Sequence, residues 1–247
     1  MSKGELAGKV AVVTGASRGI GRAIAMAMAR EGADLVATAR STERLQELAG
    51  EVTALDRSCL VVTADMTVEE EVRGIAAQAV AEFGRVDVLV NNAGMIYPKT
   101  NLVDFDFGVW REVMEVNLLS VVALCHAVLP VMISQSAGKI INLSSIGGKH
   151  PNAGQTPYKA SKAAIINFTG CLAAEVKQHG IDVTCICPGG VDTDGFRELF
   201  GARGSGKFDP MSARVIAELA LFLASDASGA LTGTSIDAFG LSSPIFR

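Results

Sequence analysis

Short apolar runs of strand length alternate with helical patterns along the chain, and this alternation limits the possible folds most strongly. Seven strands are predicted, at Lys9–Thr14, Ala33–Ala39, Cys59–Asp65, Val86–Val90, Gly138–Ser144, Ile181–Cys187 and Thr234–Phe239. Helices are predicted between them, at Ile20–Glu31, Thr42–Leu55, Thr67–Phe83, Phe105–Gln135, Tyr158–His179, Gly195–Phe200 and Ser212–Ala224. Such alternation predicts parallel strands joined by right-handed crossovers. We therefore expect a single α/β domain over residues 1–247, a doubly wound (Rossmann-type) parallel seven-stranded sheet with helices on both faces.

The composition agrees with a core of this kind. Apolar residues make up 49% of the 247 residues and aromatic residues only 5%, so the core must be aliphatic, as in a buried parallel sheet. A chain of this length buries enough surface to fold without a metal, and no metal site is expected. The 22 basic and 26 acidic residues form no basic cluster, so a nucleic-acid partner is not expected.

The cysteines and the N-terminus indicate a cytoplasmic protein. The five cysteines are odd in number and form no CxxC pair, which is typical of buried thiols in a reducing compartment. The first residues contain no apolar signal-peptide core. The apolar stretch Val116–Ile133 contains Asn117 and His126, which are costly in lipid. We therefore expect this helix to be buried in protein, in part against a second subunit, and expect no membrane partner.

A glycine-rich turn joins the first strand to the first helix. Glycines let the backbone approach a pyrophosphate, and a helix N-terminus supplies free N–H groups and a favourable dipole. The spacing is GxxxGxG instead of GxGxxG, and such a turn alone can be purely structural. Its place between strand and helix favours a dinucleotide site. The expected contacts are Gly15, Ser17, Arg18, Gly19, Ile20 and Gly21.

The end of the second strand decides between NAD and NADP. An acid there would bind the ribose 2′-hydroxyl, whereas an arginine would accept a 2′-phosphate. Ala39 occupies the place of the acid, Arg40 follows it, and Arg18 stands in the glycine turn. Two guanidiniums that converge on one phosphate suit bidentate recognition, so NADP(H) is the predicted cofactor. The alternative is that Arg40 is a solvated residue at a helix start.

Two further strand ends carry candidate cofactor contacts. Asp65 ends the third strand, where its carboxylate can accept a hydrogen bond from the adenine amino group, and Met66 follows it. The fourth strand ends in Asn91–Gly94, where small residues let the backbone pass close to the cofactor. An ordinary Asn/Gly turn is the alternative there. The candidates are Asp65, Met66, Asn92, Ala93 and Gly94.

Tyr158 and Lys162 share one face of the predicted Tyr158–His179 helix because residues i and i+4 are neighbours there. A nearby ammonium favours phenolate, so we expect Lys162 to lower the pKa of Tyr158 from its usual value of about 10. A phenol tuned in this way can exchange a proton with a carbonyl oxygen. By itself a YxxxK spacing is common and mostly structural.

Two other polar residues complete the candidate site. Ser145 stands thirteen positions before Tyr158, and its hydroxyl can hold the substrate oxygen in line with the phenol. Ser144 should face the other way, although a register shift of one residue would exchange the two. Asn117 lies inside the long apolar helix and needs a partner. It either serves structure only or anchors water in a proton relay to Lys162.

Together these motifs resemble the short-chain dehydrogenase/reductase family, in matching order and spacing over essentially the whole chain. The motifs are TGASRGIG, NNAG, Asn117, Ser145, YKASK and Pro188–Thr193. The resemblance implies an NADP-dependent oxidoreductase, with arginines placed like Arg18 and Arg40 accompanying NADP preference. It also implies a homotetramer, or a homodimer, formed through the long apolar helix and the Tyr158 helix.

The resemblance also implies roles for individual residues. The implied catalytic tetrad is Asn117, Ser145, Tyr158 and Lys162. Tyr158 and Lys162 would also contact the cofactor, with Lys162 on the nicotinamide ribose. The Val191 backbone and Thr193 would hold the carboxamide. The remaining implied contacts of this loop are Pro188 and Gly189.

The expected reaction is reduction of a ketone or a 3-oxoacyl thioester, as in members similar to 3-oxoacyl-(acyl-carrier-protein) reductases, with Tyr158 as general acid/base. The alternatives are an alcohol, sugar or steroid dehydrogenase, or a dinucleotide sensor without turnover. Those reductases usually end in a glycine pair after the last strand, whereas this chain has Gly240 and Leu241. The segment from Thr193 to Pro210 is also short. In those reductases both regions usually shape the substrate pocket or the subunit contacts, so the sequence leaves the substrate open.

Overall fold

A computed structural model describes residues 4–200 and 210–240. The strands are β1 (Val10–Thr14), β2 (Asp34–Ala39), β3 (Cys59–Thr63), β4 (Val88–Asn91), β5 (Gly138–Leu143), β6 (Ile181–Pro188), β7 (Val191–Asp192), β8 (Met211–Ser212) and β9 (Ser235–Ala238). The α-helices are α1 (Gly19–Arg30), α2 (Thr42–Thr53), α3 (Glu69–Phe83), α4 (Phe107–Met114), α5 (Ser120–Gln135), α6 (Thr156–Val176), α7 (Asp194–Phe200) and α8 (Ala213–Ala224). The C-terminal SSPIFR segment and the glycine-rich GARGSG segment lie outside the described residues.

Seven of these strands form one sheet in the order β3-β2-β1-β4-β5-β6-β9, and all of its pairings are parallel. This confirms the predicted doubly wound architecture. The chain order reverses between β1 and β4. In open α/β sheets the ligand-binding crevice lies at such a reversal, beyond the carboxyl ends of the strands.

The short strands β7 and β8 form a separate parallel ribbon that the sequence did not predict. Val191 pairs with Met211, and Asp192 pairs with Ser212. Two residues per strand are too few to produce a visible periodicity in the sequence. The ribbon holds the segment that follows β6, which carries Val191.

The core consists of two apolar layers, one on each face of the sheet. Successive strand residues point to opposite faces, so Ala11 and Val13 of β1 enter one layer while Val10 and Val12 enter the other. Helices α1, α2 and α8 cover the first layer, and α3, α5 and α6 cover the second. The strands are therefore buried on both faces, as their nearly continuous apolar runs predict.

Most predicted boundaries lie within two residues of the observed ones, but the fourth strand differs in an informative way. The sequence predicts this strand at Val86–Val90, and the predicted start is wrong because the Gln135 side chain forms hydrogen bonds with both the N–H and the carbonyl of Val86. The Gln135 amide nitrogen donates to the Val86 carbonyl at 2.9 Å, and its oxygen accepts from the Val86 N–H at 3.1 Å. The strand therefore begins at Val88 and extends to Asn91.

The long helix begins at Phe107, not at the predicted Phe105, because the Asp106 carboxylate accepts a hydrogen bond from the Gly108 N–H at 2.7 Å and caps it. It continues to Gln135 but is interrupted by a π-helical turn at Glu115–Leu119. An 18-residue window of this 29-residue helix has a mean hydropathy of 2.2, so the helix is long and apolar enough to cross a membrane. It packs inside the domain against α3, β4 and β5, as a core helix does.

Helix α6 begins at Thr156, two residues before the predicted start at Tyr158. A chain of buried amides ties it to the centre of the sheet. The Asn91 amide donates to the Asn142 side-chain oxygen at 2.9 Å, and the Asn142 amide donates to the Thr169 hydroxyl at 3.0 Å. Because a buried polar group without a partner is costly, these bonds fix how α6 lies on β5.

Candidate active site

The glycine turn after β1 is folded tightly against the loop that follows β4. Gly15 and Gly19 have φ values of +66° and +57°, which favour glycine. A Cβ on Gly21 would lie 2.3 Å from the Gly15 carbonyl oxygen and 2.4 Å from the Asn92 amide nitrogen. The Asn92 amide itself donates to the Thr14 carbonyl at 2.9 Å. Glycine at position 21 is therefore required by packing inside the protein.

The N-terminus of α1 presents unpaired backbone donors to the crevice. Within residues 4–200 and 210–240, no side chain caps this helix at Arg18, and its first turn contains no acid. The first N–H groups of a helix have no intrahelical acceptor, and the helix dipole places positive charge beside them. This end of α1 therefore suits the pyrophosphate of a dinucleotide.

The two arginines that we expected to converge on one phosphate have separate partners. The Arg18 guanidinium pairs with the Glu198 carboxylate at 3.0 Å because α7 brings Glu198 alongside the glycine turn. Arg40 is exposed, and its charge acts on Asp65. That Arg18 and Arg40 converge on one phosphate stays a prediction. An exposed pair such as Arg18–Glu198 contributes only about 0–1 kcal/mol, so a phosphate can displace it.

Asp65 lies beyond β3, which ends at Thr63 and not at Asp65 as predicted. Its carboxylate accepts hydrogen bonds from the Thr67 N–H at 2.9 Å and the Thr67 hydroxyl at 2.8 Å. These bonds lower the pKa of Asp65, so its carboxylate is charged at neutral pH. Met66, which follows, is buried in the core layer beneath α3.

Tyr158, Lys162 and Ser145 meet at the carboxyl end of β5. The Lys162 Nζ lies 5.9 Å from the centre of the Tyr158 ring and donates to the Leu143 carbonyl at 2.8 Å. The Ser145 hydroxyl, which accepts a hydrogen bond from the Gly147 N–H at 3.0 Å, is close enough to the Tyr158 phenol to lower its pKa. Ser144 points elsewhere, since its hydroxyl donates to the Lys162 carbonyl at 2.6 Å. The expected orientations of the two serines are thus the observed ones.

The expected sign of the Tyr158 pKa shift is wrong. Burial raises the pKa of Tyr158 above its ordinary value, and the hydrogen bond from Ser145 offsets only part of the rise. The charge of the Lys162 ammonium, 5.9 Å from the centre of the ring, does not outweigh this effect of burial. Burial also lowers the pKa of Lys162 to about 8. At neutral pH the pair is a protonated phenol beside an ammonium, which is an arrangement suited to giving up a proton.

Asn117 lies in the π-helical turn, and its side chain is fully occupied by protein groups. Its Oδ1 accepts from the Met95 N–H at 2.6 Å, and its amide donates to the Met95 carbonyl at 3.0 Å and the Ser161 hydroxyl at 3.1 Å. A Cβ on Gly94 would lie 3.4 Å from this Oδ1 and 3.5 Å from the Lys162 Nζ. Asn117 is therefore beside Lys162, and its contacts favour the structural alternative for its side chain.

The loop after β6 crosses in front of the glycine turn. Pro188 ends β6, and the Gly189 N–H donates to the Ala238 carbonyl at 2.8 Å. The Thr193 methyl carbon lies 3.2 Å from the position of a Cβ on Gly19, and its hydroxyl accepts from the Phe196 N–H at 3.2 Å. The segment expected to hold the carboxamide is therefore next to the segment expected to hold the pyrophosphate.

Sequence reasoning missed three residues that contact the candidate site, namely Tyr97, Gln155 and Ser161. The Gln155 amide donates to the Tyr97 carbonyl at 3.0 Å, and the Ser161 hydroxyl donates to the Tyr158 carbonyl at 2.7 Å. Tyr97 is one of only two tyrosines in the chain, which is the one sequence signal that could have drawn attention to it.

Comparisons with known proteins give a consistent result. The sequence profile described as short chain dehydrogenase matches residues 9–203. The 3-oxoacyl-(acyl-carrier-protein) reductase FabG of Salmonella typhimurium is 37% identical over 240 residues, covering 94% of this chain and 96% of the relative. The Escherichia coli K12 protein of the same name is 36% identical over 239 residues, with the same coverage. An uncharacterized oxidoreductase of Staphylococcus saprophyticus is 39% identical over 221 residues, covering 88% of this chain and 92% of the relative.

A solved structure agrees with these sequence matches. The crystal structure of a short-chain type dehydrogenase/reductase from Mycobacterium marinum superposes with a TM-score of 0.90. It is 31% identical in sequence, and the match covers 95% of each chain. The likeness therefore extends to the parallel seven-stranded sheet with its helices.

Replacing Gly21 by alanine tests the glycine turn. The new Cβ would collide with the Gly15 carbonyl and the Asn92 amide, so we expect Gly21→Ala to lose roughly 1–3 kcal/mol of stability and most dinucleotide binding. Urea unfolding and calorimetric titration with NADPH measure the two effects. Gly50→Ala is the matched control, because nothing lies within 4 Å of a Cβ there. Because Gly50 lies in the middle of α2, Gly50→Ala should stabilise the protein by about 0.5–1 kcal/mol. Equal effects of the two substitutions would contradict the requirement for glycine at position 21.

Proposed function

The chain belongs to the short-chain dehydrogenase family, and on that premise we propose that it reduces a ketone or a 3-oxoacyl thioester with NADPH. As a family member it is an oxidoreductase acting on carbonyl or alcohol groups. The observation that carries the proposal is the position of the Tyr158 phenol, next to the Lys162 ammonium and close enough to Ser145 for that side chain to lower its pKa. The FabG relatives support the 3-oxoacyl thioester as a substrate class.

The residues present fit NADP(H), because a glycine turn without room for side chains leads to the uncapped N-terminus of α1. When bound, the cofactor supplies the hydride that goes to the substrate carbonyl carbon. In the proposal, Arg18 and Arg40 hold the 2′-phosphate once Arg18 leaves Glu198. The other residues proposed to hold the cofactor are Gly15, Ser17, Gly19, Ile20, Gly21, Asp65, Met66, Asn92, Ala93, Gly94, Tyr158, Lys162, Pro188, Gly189, Val191 and Thr193.

The chain's own residues supply the proton and hold the substrate. Ser145 donates a hydrogen bond to the substrate oxygen, and Tyr158 gives that oxygen its phenolic proton, so the carbonyl becomes an alcohol. The Lys162 ammonium stabilises the phenolate that remains. Asn117 holds the neighbouring loop in place through Met95. Because burial raises the pKa of Tyr158, the phenol is protonated at neutral pH, which is the form that can give a proton to the substrate oxygen.

Removal of the Tyr158 hydroxyl tests the proposed proton donor. We expect Tyr158→Phe to lower kcat for ketone reduction by about 100- to 10,000-fold, because general-acid catalysis contributes a factor of that size. The Kd for NADPH should stay close to that of the parent, since the ring remains in place. Absorbance loss of NADPH and calorimetric titration provide the two values. Turnover equal to the parent would exclude Tyr158 as the donor.

Removal of the Arg40 charge tests the choice of cofactor. A hydrogen bond to a charged group contributes about 1.5–3 kcal/mol, so Arg40→Ala should reduce the preference for NADPH over NADH in kcat/KM by roughly 10- to 100-fold. Arg44→Ala is the control, because Arg44 is also exposed at the start of α2. An unchanged preference in Arg40→Ala would rule out this residue as the 2′-phosphate ligand.

We also propose that the chain is one domain that assembles into a homotetramer, or a homodimer, in the cytoplasm. Support comes from the outer face of the long helix, where Leu119, Val122 and Ile133 are 48%, 37% and 38% exposed. Exposed apolar residues aligned on one helix face favour contact with another protein surface. The described cysteines are all free thiols, as in a reducing compartment.

The assembly is tested by adding a charge to this face. Light scattering should give the mass of a dimer or tetramer for the parent, and Leu119→Glu should shift it toward the monomer because an unpaired carboxylate is costly in an interface. Val68→Glu, at an exposed apolar residue just before α3, is the control and should leave the mass unchanged. A monomeric parent would exclude the proposed assembly.

A further inference from the structure

The only two tyrosines of the chain contact each other. Tyr97 lies three residues beyond Gly94 and is 7% exposed. Its hydroxyl oxygen accepts a hydrogen bond from the backbone N–H of Tyr158 at 3.3 Å. The proposed reaction steps use Tyr158 but give Tyr97 no role, so this buried hydroxyl needs a separate explanation.

The contact supplies an acceptor that the first turn of α6 otherwise lacks. The first N–H groups of a helix have no intrahelical partners and are usually satisfied by the side chain of the preceding residue. In α6 that residue is Gln155, which makes no such bond, and Pro157 has no N–H. The hydroxyl of Tyr97, 61 positions away in sequence, therefore caps the turn that carries Tyr158.

Tyr97 is itself held in place by hydrogen bonds and by ring packing. The Gln155 amide donates to its backbone carbonyl at 3.0 Å, and the Thr100 N–H donates to the Gly154 carbonyl at 2.7 Å. Its ring meets the Phe105 ring edge-on, with the ring centres 4.9 Å apart. The loop after β4 and the start of α6 are thus joined by reciprocal hydrogen bonds.

The other peptide group of Tyr158 is tied to the same loop. Its carbonyl accepts from the Ser161 hydroxyl at 2.7 Å, and Ser161 in turn accepts from the Asn117 amide at 3.1 Å. Asn117 holds both backbone groups of Met95. The N–H and the carbonyl of Tyr158 are therefore both fixed by side chains that lead back to residues 95–97.

We propose that Tyr97 is a positioning residue, whose hydroxyl fixes the first turn of α6 and so keeps the Tyr158 phenol within hydrogen-bonding reach of Ser145. The inference rests on the proposed role of Tyr158 as proton donor. Tyr97 acts through the backbone of Tyr158 and not through the reacting atoms. A small displacement of a proton donor is enough to slow a reaction strongly, because the donor and acceptor must be aligned.

Tyr97→Phe tests this, since it removes one oxygen and keeps the ring against Phe105. We expect kcat to fall by roughly 10-fold, which is less than the approximately 100-fold loss that a 1 Å misplacement can cause. The Kd for NADPH should stay that of the parent. In the direction of alcohol oxidation, the pKa that governs kcat should rise. The reason is that the Ser145 hydrogen bond, which lowers the pKa of Tyr158, is weakened. The buried Lys162 ammonium, the charged group beside the Tyr158 ring, is left in place.

Two further variants separate positioning from a loss of stability. Gln135→Met removes two hydrogen bonds to Val86, which lies at the amino ends of the strands, away from the candidate site. This variant should lower the melting temperature without changing the kinetic pKa. Gln155→Met releases the Tyr97 carbonyl and should move that pKa in the same direction as Tyr97→Phe. If Tyr97→Phe does not fold, the kinetic pKa of Gln155→Met decides whether Tyr97 positions Tyr158.

Tyrosine labelled with ¹³C at Cζ gives a direct readout, because the protein contains only two such residues. In Tyr97→Phe the one remaining tyrosine signal is that of Tyr158. At neutral pH we expect the chemical shift of this signal to differ from its value in the parent. A folded Tyr97→Phe protein with the parent's kcat, kinetic pKa and Tyr158 signal would overturn the inference. Failure of the proposed function is a different result, namely undiminished turnover in Tyr158→Phe.

Discussion

Parallel pairing of β1 with both β2 and β4 is the constraint on which the rest of the molecule depends. The chain order reverses at this point, which is where open α/β sheets have their ligand-binding crevice, beyond the carboxyl ends of the strands. Thr14, the last residue of β1, closes the base of the crevice, because its hydroxyl accepts the N–H groups of Asn92 and Ala93, both at 2.9 Å. The glycine turn can then lie directly against the second loop.

Burial sets the chemistry of the proposed proton donor. Lys162 is buried and Tyr158 is partly buried, and loss of contact with water disfavours the charged form of each group. Burial therefore raises the pKa of Tyr158 and lowers that of Lys162 to about 8. The Leu143 carbonyl, 2.8 Å from the Lys162 Nζ, compensates part of the desolvation of the ammonium. A phenol that remains protonated at neutral pH suits a group proposed to give a proton to a carbonyl oxygen.

The position of Tyr158 depends on contacts between distant parts of the chain. Helix α6 is anchored on β5 through the Asn142–Thr169 bond, while its first turn is held by Tyr97 and Ser161. The π-helical turn in the long helix directs Asn117 toward Met95, so the loop after β4 is part of the same network. Such buried networks are strongly specified, because each unpaired member would cost free energy.

Local patterns in the sequence determined the fold class, the seven-stranded sheet, the glycine turn and the shared face of Tyr158 and Lys162. Each of these follows from the period of a strand or helix, or from the conformational freedom of glycine, which nearby residues define. The tertiary structure decided the rest. It paired Arg18 with Glu198, moved the start of β4 to Val88, and brought Tyr97 to the first turn of α6. It also reversed the expected direction of the Tyr158 pKa shift, because desolvation depends on atoms from several elements that meet only in the folded protein.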